Sequence, residues 1–220
     1  MTDIVVWGTG QISQVLSYYL ENCSDFKIRA YCVDGKYLQN DRVFNAKPIV
    51  AFEDIEKFYP PAKYKMALIM GYKNLNKYRE QRYLQAKEKG YSFISYVGPN
   101  SVCDGEIGEN TFIFAFNNIQ PFSKVGNNVI IWTHTCIGHH SVISDNCFLA
   151  SPVIAGCSQI EKNCFLGINS TVCDHVKIGE YSIIGAGTCI KKNIKPYSVI
   201  AAKQSPKSEF KSTDMEDILK

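Results

Sequence analysis

A small Rossmann-like α/β domain followed by a parallel β-helix of hexapeptide repeats is the fold this chain predicts, on three observations. From Ile107 to Ile190 an aliphatic residue returns at every sixth position, with a single five-residue step from Leu149 to Ile154. Two places before these anchors the residue is usually small, as at Ser123, Thr135, Ser141, Cys147, Ser158, Cys164, Ser170, Ser182 and Thr188, and Gly often follows the anchor directly. Ahead of this array, residues 1–98 alternate strand-like apolar runs with helical ones and place a glycine turn after the first run.

The elements of the first domain follow in order. Residues 3–10, DIVVWGTG, read as a buried strand entering a turn, and QISQVLSYYLENC continues as a helix. KIRAYCVDG gives a second strand ending at Asp34 and Gly35, and KMALIMGYK a third that stops at Gly71. NKYREQRYLQAKEKG is a helix ending at Gly90, and SFISYV a short further strand before Pro99. Alternation of this kind builds a small parallel sheet. The turn Gly8-Thr9-Gly10 falls short of the full dinucleotide fingerprint, because Ser13 stands where its third glycine would be. Two readings stay open: a bare strand-to-helix connection, or a nucleotide phosphate or ribose at the helix N-terminus with Asp34 accepting from a hydroxyl. NAD-dependent oxidation is disfavoured, since no catalytic dehydrogenase domain follows.

In residues 99–202 the period of six suits neither a helix nor a two-sided strand. It suits a triangular coil of about eighteen residues, built of three short strands with every anchor pointing into a narrow prism. Small residues fit where neighbouring faces converge, and Gly permits the chain to turn where a Cβ would crowd. The fifteen anchors make five coils, whose stacking supplies the core that no single coil can bury. The polar tail, residues 203–220, reads as a loosely held segment or a short capping helix.

Composition excludes several function classes. No run of eighteen apolar residues exists among the 220, so no membrane span is implied. A net charge of +3 is too small and too scattered for nucleic acid. The N-terminus MTDIVVWGTG lacks the features of a signal peptide, and the nine cysteines, several in repeat slots, read as reduced packing thiols of a cytoplasmic protein. His134, Cys136, His139 and His140 invite a zinc reading, but no paired ligand spacing completes a set, so no metal is expected. By the repeat alone, His139 is a turn residue at a prism corner.

The segments IGHHSVI (137–143) and KNCFLGINSTV (162–172), with the two-domain order from the WGTG turn through KPYSVIAAKQSPK, carry a resemblance over nearly the whole chain. On these residues the chain resembles the sialic-acid O-acetyltransferase family of sugar acyltransferases (NeuD/PglD-like). The resemblance implies a left-handed β-helix, a cytoplasmic homotrimer, and acetyl-CoA held as acyl donor in a groove between adjacent β-helices. It further implies a nucleotide-linked (dTDP or UDP) amino sugar held by the N-terminal domain and N-acetylated for bacterial surface-glycan assembly.

Residue by residue, the resemblance places a general base at His139, two positions after the anchor Ile137. Family members usually carry an acid next, where this chain has His140, an alternate base. A backbone carbonyl, a carboxylate elsewhere such as Asp145, or nothing at all then orients His139. Positions matching the cofactor contacts are Phe148, Gly156, Gly167, Ile168, Gly185 and Ala186. Positions matching the sugar-nucleotide region are Thr9, Gly10, Gln11, Asp34 and Gly35, with Lys73 and Arg79 as pyrophosphate partners or an exposed helix face. His134 lines the same groove or is simply solvated. No cysteine is assigned as nucleophile, because a thioester is already activated. The rivals are a sugar-hydroxyl acceptor on the same fold and a non-catalytic sugar-nucleotide-binding scaffold.

Overall fold

The computed structural model describes residues 1–38, 42–207, 209 and 213, so the reading of the tail falls almost wholly outside the described residues. The N-terminal domain is a five-stranded sheet of order β3-β4-β2-β1-β5, with β1 Thr2–Trp7, β2 Phe26–Val33, β3 Val43–Phe44, β4 Lys47–Ala51 and β5 Lys65–Leu68. All pairings are parallel except the β3–β4 hairpin at one edge. β1 lies between β2 and β5 and its last four residues are fully buried, as expected of a strand covered on both faces. Ile4, Val6, Ile28, Tyr31, Ala67 and Ile69 face helix α1 (Gln11–Asn22) and the β-helix. Val5, Trp7, Ala30, Cys32, Met66 and Leu68 face the short α2 (Ile55–Phe58) and α3 (Lys77–Glu88).

Two local details depart from the sequence reading. The run SFISYV is not one strand of this sheet. Phe93 makes a single parallel bridge to Met66, and Tyr96–Val97 has already crossed to pair with Phe112–Ile113 of the β-helix. The β3–β4 hairpin turns on Asn45 and Ala46, both left-handed at φ 48° and 57°. Neither residue is glycine, so that turn had no strong signal.

The β-helix has three faces. The first runs from Tyr96–Val97 to Val199–Ile200 in seven strands, the second from Val102–Cys103 to Cys189–Ile190 in six, and the third from Glu106–Ile107 to Lys177–Ile178 in five. Every rung is in register, as in Ile113↔Ile131↔Leu149 on the first face, and the five-residue step is absorbed in the turn around Ser151 without breaking the pairing Ile137↔Ile154. The anchors Ile113, Ile131, Ile137, Leu149, Ile154, Leu166 and Ile178 are fully buried along one continuous core. Small residues before the anchors do more than fit. Ser141 and Ser158 donate to the Ala155 and Cys173 carbonyls, and the thiols of Cys147 and Cys164 donate to those of Glu161 and Gly179. They tie one coil to the next.

Turning the chain, expected of the glycines after the anchors, falls to other residues. Gly after the anchor serves the close approach of coils: a Cβ on Gly138 would lie 2.6 Å from the Gly156 amide nitrogen. The left-handed residue comes two places later, three after the anchor, at Asn110, Phe116, Phe122, Asn128, His134, His140, Asn146, Cys157, Asn163, Asn169, His175 and Tyr181. Asn tolerates that region best after Gly, and Phe116, Phe122, His134, His140 and Tyr181 there have rings packed on corner residues of neighbouring coils. Phe116 stacks on His134 at 5.5 Å between ring centroids, and Phe122 on His140 at 4.9 Å.

The two domains share a core. Phe112, Ile130 and Phe148 point outward from the first face and pack with Leu16, Leu20, Ile94 and Tyr96. Beside them, at the corner joining the third face to the first, Asn110, Asn128 and Asn146 form a ladder of side-chain bonds of 2.8 and 2.7 Å. Asn110 also bonds the amide and carbonyl of Leu68, and Glu80 receives Asn146 and Asn163. The N-terminal domain is thereby fixed on the first face and its flanking corner.

Candidate functional site

His139 stands at the corner where the second and third faces meet, the prism edge opposite the face that carries the N-terminal domain. It is exposed, and its neighbours define its pose. The amide donates to Oε1 of Gln120 on the preceding coil at 2.9 Å. On the following coil Gly156 occupies the same repeat position, and a Cβ there would come within 2.8 Å of the imidazole. The ring lies over the space that this glycine leaves. Its Nδ1 is 3.0 Å from Nδ1 of His140, whose ring rests on Phe122. Asp145, considered as an orienting carboxylate, lies at a different corner and accepts from the Asn127 amide at 2.7 Å.

A pocket of about 370 Å³ lies at the glycine turn, lined by Thr9, Gly10, Gln11, Gly71, Lys73 and Tyr78. Gly8 makes the turn, at φ 126° with the Ile69 carbonyl oxygen 2.5 Å from where a Cβ would be. Ser13 is no mere defect in the fingerprint, since its hydroxyl donates to the Gly8 carbonyl at 2.6 Å. Gly10 caps α1 and has open space before it. The structure therefore brings Thr9, Gly10, Gln11 and Lys73 together.

It separates others. Arg79 is neither a pyrophosphate partner nor an exposed charge. It is fully buried, donating to the carbonyls of Asn128, Asn146 and Cys147 and to Asn76, and burial lowers its pKa to about 10. Asp34 is not free for a ribose hydroxyl. Both its oxygens accept from Arg82 Nε, at 2.9 and 3.1 Å, and Tyr78 donates to it at 2.7 Å. Burial, then the bond to Asp34, pushes the Tyr78 phenol up to about 12. The Gly35 amide is taken by the Glu53 carboxylate. Phe148 is buried against Tyr72 and Phe165 and offers no surface to a cofactor along the β-helix.

Of the remaining cofactor positions, Gly167 and Gly185 sit one residue before Ile168 and Ala186, which are exposed on successive coils at the corner joining the first and second faces. Gly156 belongs to the His139 corner instead. His134 is exposed near Ile168's edge, stacked on Phe116. A larger groove, about 990 Å³, runs along the third face past Glu80, but it is lined by charges such as Lys124, Glu161 and Lys162 and does not include His139. No cluster of metal-ligating side chains occurs among the described residues. The asparagine ladder was missed from sequence, although its signal is visible as Asn three places after the anchors Ile107, Val125, Ile143 and Ile160.

The model of the bacterial transferase hexapeptide (six repeats) matches residues 104–139 and 157–192. Curated relatives include an acyl-[acyl-carrier-protein]–UDP-N-acetylglucosamine O-acyltransferase of Nautilia profundicola, 29% identical over 42% of this chain and 39% of the relative. A 2,3,4,5-tetrahydropyridine-2,6-dicarboxylate N-succinyltransferase of Chelativorans is 30% identical over 51% of this chain and 44% of the relative. The chain thus spans under half the length of both.

Solved structures match far more of the fold. A perosamine N-acetyltransferase variant from Caulobacter crescentus, in complex with CoA and GDP-perosamine, superposes with a TM-score of 0.83 over 92% of this chain and 94% of that one, at 20% identity. The acetyltransferase domain of PglB from Neisseria gonorrhoeae, with acetyl coenzyme A, gives 0.79 over 91% and 96% at 16% identity. WeeI from Acinetobacter baumannii gives 0.76 over 91% and 97% at 18% identity. Two stretches of the β-helix thus match the bacterial transferase hexapeptide model, and the chain as a whole has the two-domain, left-handed β-helix fold of these structures.

Proposed function

We propose that the chain is an acetyl-CoA-dependent acyltransferase that N-acetylates the amino group of a nucleotide-linked amino sugar, with His139 as general base. The observation that carries this reading is the exposed imidazole of His139, seated over Gly156 at an edge of a transferase β-helix. Acetyl-CoA, when bound, supplies an activated thioester. The chain must then align an amine with it and accept the proton lost on attack, which a histidine does near neutral pH.

The site is completed by further copies of the chain. The outward residues of the second face, Val102, Asn118, Cys136, Val153, Thr171 and Cys189, carry no charge, whereas the third face presents Glu106, Lys124 and Lys177. Val102 and Val153 are 55% and 47% exposed in the single chain. Three copies with second faces turned inward would bury this surface. Each would set the Ile168–Ala186 edge of one copy beside the His139 edge of the next. That arrangement supports a homotrimer, a cofactor path over Ile168 and Ala186, and an acceptor held in the Thr9–Gly10–Gln11–Lys73 pocket of the neighbouring domain.

The test is incubation with acetyl-CoA and a panel of GDP-, UDP- and dTDP-linked amino sugars, following thiol release and product mass. Gain of one acetyl group, stable to alkali, is expected on one panel member. The O-acyltransferase among the curated relatives favours a second reading, a hydroxyl acceptor, which an alkali-labile product would establish. CoA binding without turnover on either acceptor class would leave a scaffold.

A further inference from the structure

Resting on that reading of His139, we infer that His140 is a positioning residue: a neutral Nδ1 acceptor that does for His139 what a neighbouring carboxylate would otherwise do. Four observations converge. The two Nδ1 atoms are 3.0 Å apart, hydrogen-bond distance, so one must carry the proton and the other must be bare. His140 is held in the left-handed region, at φ 58°, with its ring edge-on to that of His139 and the centroids 5.2 Å apart. Phe122 supports that ring from the preceding coil, with centroids 4.9 Å apart. Gly156 and Gln120 fix His139 from the other sides.

When His139 donates Nδ1–H to His140, its own Nε2 is left with a free lone pair pointing away from the pair. As Nε2 takes the proton from the attacking amine, the N–H bond of the amine breaks and the new N–H bond makes His139 an imidazolium. The Nδ1–H then becomes a charge-assisted donor to the same acceptor. His140 supplies a lone pair without a negative charge, a weaker electrostatic partner for the imidazolium than an aspartate would be. The device fails if both rings are protonated, because two N–H groups cannot face each other at this distance. Other titratable groups facing this corner are Cys157 on the next coil and Asp174 with His175 on the one after, about 10 Å away at the spacing of stacked strands. Asp104 lies two coils before.

Two substitutions separate positioning from mere packing, and the fold tolerates both. Phe116 and Phe122 already occupy left-handed corners, so His140→Phe keeps the ring and loses the acceptor, while His140→Asp restores an acid. In the acetyl-transfer assay His140→Phe should lower kcat by about 10-fold, with KM for acetyl-CoA little changed. The midpoint of the acid limb of kcat should fall in His140→Phe and rise in His140→Asp, and His140→Asp should recover wild-type kcat or better.

A readout without substrates keeps this inference distinct from the proposed reaction. Side-chain 15N spectroscopy of the wild-type protein should show His139 with Nδ1–H and a bare Nε2, a tautomer lost in His140→Phe. An unchanged tautomer and an unchanged acid limb in His140→Phe would overturn the inference. His139 found with Nε2–H in the wild type would overturn it too. Loss of acetyl transfer by the wild type itself, with the tautomer result intact, would instead strike the proposed reaction.

Discussion

The imidazole of His139 keeps its place because residue 156 has only a hydrogen where others have a methyl. The atoms that a Cβ at Gly156 would meet, at 2.8 and 2.9 Å, belong to the far end of a surface side chain. Gly156→Ala should therefore displace the ring without straining the coil. The expected outcome is a fall in kcat of about 10- to 100-fold, since small misplacements of a reacting group are costly, with a thermal midpoint close to wild type by circular dichroism. The position of His139 was legible in the sequence through its offset from Ile137 and the family resemblance. Its seat over Gly156 was legible only as two residues at the same repeat position. Asp34 misled because a strand-end acid looks the same whether it awaits a ribose or, as here, binds Arg82 and Tyr78.

The hexad is the element whose physics is most visible in the sequence. A period of six can be met by no other local structure, and all fifteen anchors face the prism. Because each coil touches only its neighbours, a cavity in the middle of the stack cannot be relieved elsewhere. Ile154→Ala should cost about 2–5 kcal/mol, read by chemical denaturation, without altering the outward surface. Where the repeat was silent, the reading was weaker. The β3–β4 hairpin turns on Asn45 and Ala46, and SFISYV divides between two sheets because strand propensity does not say which partner a strand takes.

At the scale of the whole molecule, the least legible feature was the contact between domains. Arg79 lies in a helix rich in charge and reads as solvent-facing, yet it satisfies carbonyls at the asparagine corner. Arg79→Met would keep the stem and leave the Asn128 and Asn146 carbonyls without that donor. It should destabilise the junction by about 1–3 kcal/mol, seen as faster amide exchange in α3 and at that corner. The same architecture puts the candidate base on the edge opposite the N-terminal domain, so one chain alone does not join base and acceptor pocket. In the proposed homotrimer, mixing His139→Ala with Gly10→Trp protomers should regain activity that either variant alone lacks. Gly10 has open space before it, so the bulky residue would fill the pocket and leave the turn intact.

The most direct test of the account is the rate of thiol release from acetyl-CoA by His139→Ala, with both substrates saturating. Because His139 lies outside the prism core, the variant should remain folded and lose about 100-fold or more in kcat. Turnover equal to wild type in a folded His139→Ala variant would contradict the assignment of the base, and with it the placement of the active site at this corner.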